Sequence, residues 1–255
     1  MLYSKKIGDL GQPIVILHGI FGSSDNWVTV AKALSNNFQV YLLDLPNHGQ
    51  SPKSDDFSYK NMSDAILNFL DENKLAQVNL VGHSMGGKVA MTVAKNNPER
   101  LLKLVVVDYT PKFHPVQHRM ILQGLNSIDL QNLQSRTQAN EILKNFEENE
   151  SVRQFLLKNL YRNVDLGHFD WRINLPVITK EIENISEEIV LRIPFIKPAL
   201  FIKGETSPYI QPEDKIGILK MFPNSQFKTI LGAGHLVHAD KPDDFLKVLI
   251  EFVKE

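Results

Sequence analysis

The amino-acid sequence predicts an α/β fold: a mostly parallel central sheet with helices on both faces, and a helical segment inserted late in the chain. Three observations carry this. Short apolar runs alternate with amphipathic segments, several of the runs end in glycine-containing turns, and the alternation stops for about 90 residues before it resumes.

Strand candidates lie at 2–7, 13–17, 39–43, 78–81, 103–107, 199–203 and 227–231, and helix candidates at 27–35, 60–73, 85–96, 211–221 and 242–254. Runs such as Ile14 to Leu17 and Leu104 to Val107 are continuously apolar, as strands covered on both faces are. Pro242 suits the first turn of the last helix, and Pro98 stops the helix that begins at Met85. Between Asp108 and Ala199 the pattern is helical, at 115–127, 136–147, 150–161 and 176–189, with no strand alternation. The expected organisation is a core of residues 1–110 and 197–255 carrying a helical cap of residues 111–196. Phe113, Phe146, Phe155, Leu156, Tyr161, Phe169 and Trp171 supply enough apolar bulk to roof a pocket, although packing of cap on core would use the same residues.

Gly82, His83, Ser84, Met85 and Gly86 join the run Val78 to Val81 to a helix-compatible segment. A strand–GxSxG–helix junction is a nucleophile elbow, in which the serine sits in strained backbone with its hydroxyl exposed. The flanking glycines are required because the turn brings backbone segments too close for side chains. The bare pattern has low specificity, and an isolated copy reads as an ordinary glycine turn. Two further signals raise it. His18, Gly19, Ile20, Phe21 and Gly22 follow a strand and form the kind of loop that lends one N–H to an oxyanion hole, the other coming from Met85 after the nucleophile. The loop donor is Ile20 or Phe21, with Ile20 the preferred choice. Near the C-terminus, Gly232, Ala233, Gly234 and His235 complete the chain order serine, acid, histidine.

His235 is the candidate general base, able to take the Ser84 proton and return it to the leaving group. His238 is read as a neighbour that packs beside the site, and His18 and His83 as residues that orient loops. Two carboxylates end strand-like runs, Asp108 after Leu104 to Val107 and Glu205 after Ala199 to Gly204, and the residues alone leave the choice of acid open. Asp44, Asn47 and His48 read as a loop near the pocket rim. Asp165, His168 and Asp170 match no standard ligand spacing, so no metal is expected.

The chain of 255 residues is 43% hydrophobic and 22% charged, with a formal net charge of -1. That length buries a substantial core, and that charge calls for neither nucleic acid nor an anionic membrane surface. The absence of cysteine excludes disulfides and thiolate chemistry. No stretch is apolar for the roughly 18 residues of a membrane span, and the start MLYSKKIGDLGQP lacks the core of a secretory signal, so the expected location is the cytoplasm.

The strings HGIFGSSDNW (18–27), DLPNHGQS (44–51), GHSMGGKVAM (82–91), VVVDYTP (105–111), FIKGETSPYI (201–210) and GAGHLVHADKPD (232–243) together resemble a YbfF-type esterase of the α/β-hydrolase superfamily, across nearly the whole chain. The resemblance implies the α/β-hydrolase fold and no cofactor; because the N-terminal strand is followed almost at once by the one that ends at His18, the first of the usual eight strands is expected to be missing. It implies that Asp108 is the acid and that Ser207 supports it by a hydrogen bond; a Glu at 205, where the family has a small or neutral residue, is a departure. It further implies a serine carboxylesterase acting on small-molecule substrates, short-to-medium acyl esters with acyl-CoA thioesters as a further class, working as a monomer or homodimer. Haloalkane dehalogenases and epoxide hydrolases share the scaffold but use a carboxylate nucleophile, which Ser84 argues against. Carbon–carbon hydrolases and perhydrolases keep the same three residues, and a ligand receptor on this scaffold is the alternative from another class.

Overall fold

The alternating runs fold in the order in which they are read. The computed structural model describes residues 1–255. In chain order the core holds β1 (Ser4–Ile7), β2 (Pro13–Leu17), α1 (Val28–Leu34), β3 (Gln39–Leu43), α2 (Tyr59–Glu72), β4 (Val78–His83), α3 (Met85–Asn96) and β5 (Leu101–Val107). An insertion follows, with α4 (Arg119–Asn126), α5 (Arg136–Leu143), α6 (Glu150–Leu157), β6 (Leu160–Asn163), β7 (His168–Trp171) and α7 (Leu175–Glu181). The core resumes with β8 (Ala199–Gly204), α8 (Asp214–Met221), β9 (Ser225–Ile230), α9 (Val237–Asp240) and α10 (Pro242–Lys254).

Seven strands form one sheet in the order β1-β3-β2-β4-β5-β8-β9. Only β1 runs antiparallel, pairing with β3; all other neighbours are parallel. Alternate strand residues face opposite sides. Val15, Leu17, Leu80, Leu104 and Val106 face α2 and α3, while Ile14, Ile16, Val81, Val105 and Val107 face α1 and α10. The first set belongs to a cluster that continues without a break into Leu122, Leu156, Trp171 and Ile178 of the insertion. The inserted segment therefore shares its apolar core with one face of the sheet.

The sequence reading of the insertion needs one correction. The segment is not purely helical: α6 stops at Leu157, and β6 pairs with β7 in an antiparallel hairpin. The turn is closed by Asn163, whose Oδ1 accepts from the N–H groups of Asp165 and Leu166, and by Gly167 at φ +74°. Asp165, His168 and Asp170 lie in or beside this turn.

Two polar anchors fix the insertion to the core. Lys88, buried on α3, donates from Nζ to the carbonyls of Ser186 and Glu187, and burial lowers its pKa to about 8. Tyr59 Oη donates to Ile185 O at 2.7 Å. Within the insertion, Asn149 caps α6 through Ser151 and Val152, and Arg153 bridges to Asn140 of α5 and to the carbonyls of Glu147 and Glu148.

Candidate active site

Residues beyond the C-terminal ends of β2, β4 and β9 meet at a cavity of about 830 Å³. This is where open α/β sheets place ligands. Ser84 and His235 line the cavity together, with Ile20 and Phe21 of the loop after β2, and Ile121, Val152, Phe155 and Leu156 of the insertion.

Ser84 separates β4 from α3 and holds φ +53°, ψ -119°, a conformation strained for any residue with a side chain. Its N–H donates to Val107 O at 3.0 Å, and its carbonyl accepts from Gly87 at 2.8 Å. The flanking glycines are explained by distances. A Cβ at Gly82 would stand 2.1 Å from Gly86 O, and one at Gly86 would stand 2.5 Å from His18 O and 2.7 Å from Leu17 O. The elbow is thus pressed against both its own helix and the neighbouring β2 backbone.

His235 Nδ1 lies 2.7 Å from Asp108 Oδ2. An ionised carboxylate only accepts, so Nδ1 carries the proton and Nε2 is left as the acceptor. Asp108 is fully buried and takes two further bonds, from Gly204 N–H at 3.0 Å and from the Ser207 hydroxyl. Glu205 does not reach His235: its carboxylate accepts from Gly232 N–H at 2.8 Å and secures the glycine-rich loop that carries His235. Asp240 accepts from Gly234 N–H at 2.8 Å in the same loop. His83 Nε2–H donates to His235 O, also at 2.8 Å.

The two loop N–H groups differ. Phe21 N–H donates to His48 Nε2 at 3.2 Å, whereas Ile20 N–H has no acceptor within the protein. Met85 opens α3, so its N–H is among those that the helix leaves without an acceptor. Of the two expected loop donors, Phe21 N–H is thus engaged and Ile20 N–H is free.

Three histidines around this loop are held neutral. His18 donates from Nδ1 to Gly19 O and accepts Leu45 N–H at Nε2; His48 donates from Nδ1 to Pro46 O. Burial pushes His18 down to about 4 and His48 to about 3, with the neighbouring His18 adding to the effect on His48. His83 is likewise driven well below the usual range, chiefly by burial.

Asp44, Asn47 and His48, expected in a loop near the pocket rim, are not among the lining residues, but His48 accepts from the N–H of Phe21, which lines the cavity. They are buried framework: Asp44 accepts from Ser24 and Gln50 N–H, and Asn47 ties the loop to Asn174 of the insertion. Of the seven apolar residues expected to roof the pocket, Phe155 and Leu156 line it. Phe113 is 60% exposed, and Phe169 and Trp171 are buried in the core. Phe146 packs on Gly124, and Tyr161 bonds Asp170. His238 stacks on Trp27 with ring centres 3.9 Å apart. His118, at the start of α4, also lines the cavity, and no sequence pattern marks it.

Residues 12–242 match the family model described as the alpha/beta hydrolase fold. The chain belongs to that family. It is 38% identical to the sn-1-specific diacylglycerol lipase ABHD11 of Xenopus laevis, over 96% of this chain and 80% of that protein. It is 35% identical to esterase YbfF of Escherichia coli K12, over 95% of this chain and 93% of that protein, which bears out the resemblance read from the motifs. Among solved structures, a marine microorganism esterase superposes with a TM-score of 0.96 at 41% identity, covering 98% of both chains. The class that these relatives define is that of ester hydrolases.

Proposed function

We propose that the chain is a serine carboxylesterase acting on short-to-medium acyl esters, and on acyl-CoA thioesters as a further class, with Ser84 as nucleophile. The observation that carries this reading is the hydrogen-bonded line from Ser207 through Asp108 to His235, ending in a cavity that Ser84 shares. Ser84 Oγ attacks the ester carbonyl while His235 Nε2 takes its proton. Asp108 keeps His235 in the required tautomer and stabilises the imidazolium. The N–H groups of Ile20 and Met85 receive the oxyanion, worth roughly 3 kcal/mol each. His235 then returns the proton to the leaving alcohol, and water activated by the same imidazole releases the acid. No step requires a cofactor.

Acyl length follows from the walls that the insertion supplies. We assign residues 111–196 as the cap and 1–110 with 197–255 as the core, with Ile121, Val152, Phe155 and Leu156 as the acyl-facing apolar surface. The same proposal keeps the enzyme in the cytoplasm, as a monomer or homodimer. Steady-state hydrolysis of p-nitrophenyl esters from acetate to palmitate, with an acyl-CoA as the thioester arm, tests it. Serine-dependent turnover with an optimum at short or medium chains is expected; absence of turnover on every ester overturns it.

A further inference from the structure

Two imidazoles beside His235 make no hydrogen bond to the protein, and they are not alike. His238 is stacked face to face on Trp27, so packing accounts for its ring. His118 has only an edge contact to Phe21, with ring centres 5.8 Å apart. His118 Nδ1 is enclosed by the protein without a partner and is closed to a ligand as it is to water, whereas Nε2, which has no protein partner either, is not enclosed, and the ring lines the cavity that holds Ser84 and His235. A ring nitrogen that faces a cavity without a protein partner takes its hydrogen bond from water or from the ligand group that displaces it, so Nε2 is the atom left for a substrate.

From this placement we infer that His118 is a specificity-determining residue that hydrogen-bonds a hydroxyl group carried by the ester substrate close to the scissile bond. The inference rests on the serine esterase reading above. A hydroxyl suits the site because a neutral imidazole offers one donor and one acceptor, and a hydroxyl meets either. A carboxylate or phosphate suits it less. An anion would draw a proton onto His118, whereas burial, and then the neighbouring His235, hold its pKa down to about 4. His235 itself becomes cationic as Ser84 attacks, which opposes a second positive ring beside it.

The hydroxyl could belong to the alcohol or to the acyl part, and isosteric pairs separate the two. On the alcohol side, 2-hydroxyethyl butyrate is compared with n-propyl butyrate; on the acyl side, ethyl 3-hydroxybutyrate is compared with ethyl 3-methylbutyrate. Wild type, His118→Leu and His118→Asn are assayed for kcat/KM on all four. The wild type is expected to prefer the hydroxylated member of one pair by about fivefold or more, the scale of a single hydrogen bond. His118→Leu is expected to abolish that preference, and His118→Asn, which keeps a donor and an acceptor, to retain part of it. Equal turnover within both pairs, or a wild-type preference that His118→Leu leaves intact, overturns the inference while the esterase reading stands. A loss in His118→Leu that is the same for both members of each pair also overturns it, since that is a structural effect. No turnover of any of the four esters by the wild type overturns the esterase reading, and the inference with it.

Discussion

The imidazole of His235 stands 2.7 Å from the carboxylate of Asp108, a residue 127 positions away. Glu205, which the sequence offers as an equal candidate, faces the backbone of Gly232 instead. The two carboxylates therefore have separable effects. Asp108→Asn is expected to lower kcat by three to four orders of magnitude, roughly the cost of losing the orienting anion. Glu205→Gln keeps an acceptor for Gly232 N–H and is expected to change kcat by less than about threefold, the scale of one exposed hydrogen bond. Steady-state kinetics of both variants on one p-nitrophenyl ester read the difference, and the opposite ranking would transfer the orienting role to Glu205.

Gly86 carries a prediction about the elbow. A methyl group there meets the carbonyls of His18 and Leu17 at 2.5 and 2.7 Å, and both belong to backbone that cannot rotate away. Gly86→Ala is expected to destabilise the fold by about 1–3 kcal/mol, as overpacking does. For a chain of this size that is a fall in Tm of about 2–12 °C. Because the displaced backbone leads into Ile20, turnover is expected to fall as well. Differential scanning fluorimetry with a kinetic assay measures both, and an unchanged Tm would mean the contact is relieved at no cost.

His18 and His48 make stability depend on pH. Both accept a backbone N–H at Nε2, a bond that protonation removes, and burial lowers them to about 4 and about 3 from an ordinary value near 6.5. As pH falls below about 6.5, the unfolded chain takes up protons at both positions before the folded chain does. Unfolding is therefore favoured, and each histidine removes about 1.4 kcal/mol of stability per pH unit toward pH 4. Stability is retained above pH 6.5. Urea unfolding between pH 7 and 5 is expected to show this decline above the range in which carboxylates titrate. His48→Gln keeps an acceptor for Phe21 N–H and is expected to reduce the slope by about one proton's worth. A flat profile over this interval would contradict the assignment.

Val152 and Ile121 lie on the cavity wall that the insertion provides. Val152→Phe adds bulk to that wall. It is expected to lower kcat/KM for p-nitrophenyl octanoate at least about tenfold more than for the acetate, on the reasoning that each methylene excluded from an apolar pocket is worth roughly 1 kcal/mol or more. Equal effects on both esters would place the acyl chain elsewhere.

Much of this architecture was legible in the chain. All seven sheet strands follow continuous or alternating apolar runs; Pro13–Leu17 and Gln39–Leu43 fall where the runs do, and the other five differ by one or two residues at one or both ends. The elbow, the loop after β2 and the His235 loop were readable because each joins glycines at close backbone approaches to a polar residue at a strand end. The hairpin of β6 and β7 was not. Val152, Phe155 and Leu156 fall at helical spacing, and nothing local says that the helix stops before Tyr161. Asn159 ends the helix by donating from its side chain to Phe21 O and Leu156 O, and the first of these partners is 138 positions away. His118 was invisible for a similar reason. Its position on the cavity depends on how α4 packs over the sheet, and a single histidine before a helix has no period to betray it.

The proposed esterase activity depends on Ser84 as the nucleophile, and covalent capture tests that most directly. An alkyl fluorophosphonate transfers its phosphonyl group to an activated serine with loss of fluoride. Intact-mass spectrometry of the treated wild type should show one phosphonyl adduct, mapped by proteolysis to the peptide containing Ser84, and Ser84→Ala should show none while keeping the wild-type Tm. An adduct on another residue, or wild-type ester turnover persisting in Ser84→Ala, would contradict the account.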